Sequence, residues 1–135
     1  MKTVLMVFTI LLLSNLTIAQ TTAIPDANFE QKLIGLGFDN IIDGVVLTAN
    51  IDTITHLDVG YSNIVDLTGI EDFTALTHLD CEVNDIVSLD LSQNLALHLL
   101  EANTNLISSL DISQNLALDS LDVYDNKLAK LDVSH

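Results

Sequence analysis

Tryptophan and arginine are absent from this sequence, proline and cysteine occur once each, and only 4% of residues are aromatic. Four cationic side chains face 19 acids, for a formal net charge of -15. Each shortage excludes something. With Cys81 alone, no intramolecular disulfide can form. Binding phosphates needs clustered Lys and Arg, so the charge balance argues against a nucleic-acid partner and against docking to an anionic membrane. No glycine-rich phosphate loop, Cys-x-x-Cys pair or Ser-His-Asp arrangement is present, so the chain reads as a non-enzyme without a cofactor. Carboxylates are abundant, but as a repeated ladder. Glycoside hydrolysis needs two carboxyls in distinct environments.

What is present is aliphatic. Apolar residues make up 49% of the 135-residue chain, chiefly Leu, Ile, Val and Ala, enough for one layered core. Met1-Lys2 begins a short basic region, Val4 to Leu13 is apolar except for Thr9, and Thr17-Ile18-Ala19 offers small residues at the positions a signal peptidase reads. This pattern predicts a secretory signal over residues 1–19, cleaved after Ala19. A transmembrane anchor is the competing reading, but a span needs roughly 20 apolar residues. After cleavage no membrane insertion is expected. Removal takes away Lys2 and none of the acids. The acidic surface is read first as a solubility device.

Internal repetition is the dominant signal. Ala75-Leu76-Thr77-His78-Leu79-Asp80-Cys81 returns after 21 residues as Ala96 to Ala102, and after 21 more as Ala117 to Val123. Leu89-Asp90-Leu91-Ser92-Gln93-Asn94-Leu95 returns as Leu110 to Leu116, then begins again at Leu131. An earlier copy, Ile54 to Val59, lies 22 residues upstream. Each unit fits L-x-x-L-x-L-x-x-N-x-L, as in Leu76, Leu79, Cys81, Asn84 and Ile86. In L-x-L both apolar side chains share one strand face and the residue between points out. One such strand cannot bury its face alone, but stacked copies can. Cys81 therefore points inward as a small apolar side chain. An inward Asn can satisfy backbone groups at the bend, which assigns structural roles to Asn84, Asn105 and Asn126. Ser62 replaces the Asn in the first copy, so that copy should be the more irregular.

These motifs resemble the leucine-rich repeats of secreted, internalin-like bacterial surface proteins over about residues 25 to 135. The resemblance implies an α/β solenoid, mostly β: a leucine-rich-repeat stack with parallel strands on the concave face and an N-terminal helical cap. It also implies a secreted or cell-surface location. The expected domains are a signal peptide (1–19), a cap (20–50) and repeats (51–135), the last incomplete. In the cap, Asp26 after Pro25 suits a helix N-cap. Phe29, Leu33 and Leu36 form one apolar stripe, and Gly35 and Gly37 end it. Ile41-Ile42, a turn at Asp43-Gly44, and Val45-Val46-Leu47 suggest a first incomplete coil. Ile70 and Phe73 should face inward from a short 3₁₀ turn, whereas Leu89/Leu91 and Leu110/Ile112 read as extended convex segments. Nothing after His135 closes the stack, so the chain reads as the N-terminal portion or truncated remnant of a longer surface protein, with self-association through the open end as the alternative.

Strand geometry then nominates a binding surface for a protein or glycan: Thr55, His56, Asp58, Tyr61, Thr77, His78, Asp80, Glu82, His98, Glu101, Asp119, Asp122 and Tyr124. The two tyrosines are the leading candidates for contact energy. Two acidic columns run along the repeats, Asp58-Asp80-Glu101-Asp122 and Asp90-Asp111-Asp132. They raise an alternative, a structural or adhesive component binding calcium through oxygen-rich faces. Without a D-x-D-x-D-G loop, solvated ladders are the preferred account. His56 and His78 beside Asp58 and Asp80 form a patch chemically compatible with zinc, but the column continues as Leu99 and Ser120. No metal site is assigned.

Overall fold

The computed structural model describes residues 19–131 and 133. The predicted signal lies almost wholly outside the described residues, as does Asp132. Among those described, no helix is long and apolar enough to cross a membrane.

The elements in chain order are β1 (Thr21–Ala23), α1 (Ala27–Gly35), β2 (Val45–Leu47), β3 (His56–Asp58), β4 (His78–Asp80), β5 (Leu99–Glu101) and β6 (Ser120–Asp122). Strands β3 to β6 form one parallel sheet in chain order, with Leu57, Leu79, Leu100 and Leu121 in register. Each strand belongs to one coil of a leucine-rich-repeat solenoid. Leu76, Leu79, Cys81, Leu97, Leu100 and Ala102 are wholly buried. Cys81 lies between Val59 and Ala102 in the inward column, and burial pushes its thiol pKa up to about 12, with Asp80 adding to the rise. It is an inert filler of the core. At the far end, Leu118, Leu121, Val123 and Leu128 pack on the core but stay half-exposed.

Asparagines lock the bend after each strand. Asn84 Oδ1 accepts from the Ser62 and Ile64 amides at 3.1 and 2.9 Å, and its Nδ2 donates to the Val59 and Cys81 carbonyls at 3.0 and 3.1 Å. Asn105 repeats this one coil on, accepting from Ile86 and donating to Cys81 and Ala102. Asn126 accepts from Ile107. Each carbonyl therefore serves an amide of the preceding coil. That explains Ser62: among the described residues no coil precedes the first one, so an amide side chain there would have no backbone N–H of an earlier coil to accept from. The first coil is the irregular one at that turn, where Tyr61 and Asn63 both have positive φ. Later turns have one such residue each, Val83, Thr104 and Asp125. A branched residue with positive φ is strained, and the Asn side-chain bonds beside it hold it there.

A second amide ladder, not anticipated from the repeat motif, runs along the convex side. Asn94 and Asn115 are wholly buried. Asn94 Nδ2 donates to the Ile70 and Phe73 carbonyls, and Asn115 Nδ2 to those of Leu91 and Asn94. By the 21-residue offset, Phe73 occupies this column in the first coil, at the end of the predicted 3₁₀ turn, Ile70–Asp72. Its ring stacks on Phe29 of α1 with centroids 6.4 Å apart. Phenylalanine faces the helix, and asparagine faces the preceding coil's carbonyls.

Helix α1 begins as predicted. Asp26 Oδ1 accepts from the Asn28 and Phe29 amides, while its Oδ2 accepts from Val65 and Asp66 of the first coil. Burial pushes this carboxyl's pKa up, but the four amides together outweigh it and hold it below the usual carboxylate range. Phe29 and Leu33 are buried. Leu36, expected in the same stripe, is 41% exposed because the helix has ended by then. Val45–Leu47 departs further from expectation. It is no incomplete coil of the parallel sheet but pairs antiparallel with β1. Only Val46 faces the core, and Ile41 and Ile42 are exposed. Gly69, at φ +105°, lets β1 approach the first coil closely: a Cβ there would lie 2.7 Å from the Ala23 carbonyl.

Candidate binding face

The outward positions of β3 to β6 build the concave face. Strand register brings His56 beside His78 and then Leu99 and Ser120, and Asp58 beside Asp80, Glu101 and Asp122. The two imidazoles stack, with centroids 4.2 Å apart and planes 12° apart. Thr77 donates its hydroxyl hydrogen to the Thr55 carbonyl at 2.8 Å. The 2.8 Å contact between Thr77 Oγ1 and His78 Nδ1 must then take its hydrogen from the imidazole. This tautomer leaves Nε2 of the neutral ring as an acceptor. Thr55 Oγ1 lies 2.9 Å from His56 Nδ1.

The aspartates do structural work as well as presenting charge. Oδ1 of Asp58, Asp80 and Asp122 each accepts from the amide two residues on, at 3.0 Å. One carboxylate oxygen is thus committed to starting the turn. Asp80 is the most enclosed of the three. Burial raises its pKa, opposed by the Glu82 amide, and the Asp58 and Glu82 charges raise it further against the pull of Lys32. Lys32 lies 3.7 Å from Asp58 Oδ1 and also reaches the Gly60 carbonyl. Among the described residues, no group of three or more His, Cys, Asp or Glu side chains is placed to hold a metal ion.

Beyond these strands the face has an apolar wall that sequence reasoning missed. Leu36 and Phe38, just past α1, close one side of an open groove of about 360 Å³ whose other wall includes His56, His78, Leu99 and Glu101. The signal available was Leu99, an apolar residue at an outward strand position. Leu36 and Phe38 reach the groove only through the fold of the N-terminal segment.

All thirteen nominated residues are at least partly accessible, but the groove gathers only His56, Asp58, His78, Asp80 and Glu101. Thr55 and Thr77 support the histidines. His98 pairs with Asp119 at 3.3 Å, one position before the strands' outward histidine column. The tyrosines do not share a column. Backbone pairing aligns Glu82, Asn103 and Tyr124, whereas Tyr61 sits at the positive-φ turn with Val83, Thr104 and Asp125. Both are more than two-thirds exposed, Tyr61 at 70% and Tyr124 at 78%. Tyr61 hydrogen-bonds Glu82, and that bond and the Glu82 charge raise its pKa. Asn103 Nδ2 donates to the same carboxylate at 3.1 Å.

No protein-family model matches the chain. Over 70 residues, 52% of its length, it is 41% identical to internalin J of Listeria monocytogenes serotype 4b. Over that stretch the chain is homologous to internalin J. It superposes on the functional domain of that protein, described as including a cysteine ladder, with TM-score 0.76 and 37% identity over 88% of this chain. A second L. monocytogenes internalin, inlF, superposes with TM-score 0.74 at 23% identity over 81% of this chain, a likeness of fold. The internalin-like chain spans 8% of internalin J and 27% and 33% of the two solved chains. With one cysteine, it has no such ladder of its own.

Proposed function

We propose that this internalin-like chain is a recognition module displayed outside the cell, secreted or at its surface. In this reading residues 1–19 direct export and are removed, residues 20–50 cap the stack, and the concave face of the repeats binds a protein or glycan without catalysing a reaction. The observation that carries the reading is the groove of Leu36, Phe38 and Leu99 beside the stacked histidines. A solenoid needs inward leucines, but nothing in its packing requires an apolar residue at an outward strand position. Homology with internalin J supports a surface binding role, and the burial of Phe29 and Leu33 against the first coil supports the cap.

The test is to express the whole chain in an exporting bacterium, sequence the N-terminus of the recovered product, and screen that product on protein and glycan arrays. The expected product begins at Gln20 and binds a defined partner. Binding should fall about tenfold in Leu99→Ser. An uncleaved N-terminus would overturn the export reading. Array binding indifferent to Leu99→Ser would overturn the assignment to this face.

A further inference from the structure

Resting on the reading of the concave face as a recognition surface, we infer that its occupant is a basic protein segment that seats an apolar side chain in the groove between flanking Lys or Arg residues. The argument is one of complementary chemistry. The lining is apolar at Leu36, Phe38 and Leu99. Around it stand Asp58, Asp80 and Glu101. Asp58 and Asp80 each have one oxygen bound to a backbone amide and the other outside that turn. In its neutral form, with Nδ1–H turned to Thr77, His78 is an acceptor at Nε2 as well.

The face therefore offers acceptors and negative charge. The cation beside it, Lys32, is already engaged by Asp58 and the Gly60 carbonyl. A partner must supply donors and positive charge, together with an apolar anchor. Charges placed this way steer association and fix orientation, while the anchor supplies contact energy. A second copy of the chain fits poorly, since it would bring the same large excess of acids over cations. A neutral glycan would bring hydroxyl donors for these acceptors but no positive charge to match the carboxylates. Tyr61 and Tyr124, the most exposed rings, lie outside the groove.

The experiment uses end-blocked, fluorescent peptides and the exported chain, read by polarisation at low and high salt. One peptide alternates lysine with leucine and phenylalanine, a second alternates lysine with serine, and a third replaces the lysines of the first with glutamate. The first should bind, more weakly at high salt, and the other two should not. Affinity should fall about tenfold or more in the isosteric pair Asp80→Asn with Glu101→Gln, and likewise in Leu99→Ser. The convex pair Asp90→Asn with Asp111→Asn should leave it unchanged, with circular dichroism verifying the fold of every variant. Equal binding of the lysine–serine peptide, an equal loss in the convex pair, or no binding of the first peptide would overturn the inference. Should no peptide bind while an array glycan binds in a Leu99-dependent way, the basic-segment inference falls and the recognition reading stands. If the arrays also show no partner, both fall.

Discussion

The concave and convex faces of this solenoid both display aspartate at the repeat spacing, yet they are built for different ends. On the convex side, Asp90 and Asp111 each accept from the serine amide two residues on, at 2.9 Å. The backbone bond to that serine and a second one to its hydroxyl lower both carboxyls' pKa. On the concave side Asp58, Asp80 and Asp122 make the same turn. A recurring acid thus reports that the chain turns there, and says nothing by itself about a ligand. What distinguishes the concave face is its non-repeating part: the stacked His56 and His78, the outward Leu99, and the Leu36–Phe38 wall.

The sharpest way to break this contrast is to loosen the bend that separates the faces. Asn84→Ala would orphan the Ser62 and Ile64 amides and the Val59 carbonyl, and leave the Cys81 carbonyl to Asn105 alone. At about 1 to 3 kcal/mol per unsatisfied buried group, some partly rescued by water, the expected loss is about 3 kcal/mol in urea unfolding. Asn126→Ala, at the half-buried end, should cost about half as much.

Next comes the tie between the N-terminal segment and the first coil. Asp26→Ala should destabilise by about 2 kcal/mol, combining a lost helix cap with lost bonds to Val65 and Asp66. The pH dependence has a definite sign. Asp26's folded pKa is lowered, so its charge contributes stability above the unfolded value of about 3.9, lost as pH falls through the lower folded pKa. The stability gap between the native chain and Asp26→Asn should accordingly be widest above that value and shrink in acid.

Two smaller effects test the turns. Val83→Asn relieves a branched residue at φ 51° and should stabilise by about 1 kcal/mol in the same unfolding assay. Ser62→Asn, which restores the repeat motif on paper, should change stability by less than about 0.5 kcal/mol. A gain comparable to the cost of Asn84→Ala would show that the carbonyl does not depend on an amide of a preceding coil.

The stack, the inward columns and the Asn84–Asn105–Asn126 bends were legible in the sequence because 21-residue repetition and strand alternation dictate them. So was the start of α1 at Asp26. The second ladder, Asn94 and Asn115, was visible as a repeat but not as a buried role. An asparagine beside serine and glutamine reads as surface until the preceding coil's carbonyls come into view. Val45–Leu47 misled because its alternation is that of any short strand, and its partner, Thr21–Ala23, is too short and polar to announce itself. The groove was half legible. Its strand residues follow from periodicity, but the Leu36–Phe38 wall depends on where α1 ends and how the chain crosses the first coil.

Carboxylate footprinting tests the assignment of recognition to the concave face most directly. The exported chain would be labelled with carbodiimide and glycine ethyl ester, alone and with its array-selected partner, and the sites read by mass spectrometry. Asp58, Asp80 and Glu101 should be protected by the partner while Asp90 and Asp111 label as before. Protection of Asp90 and Asp111 with the concave carboxylates unchanged would place the partner on the other face and contradict the account.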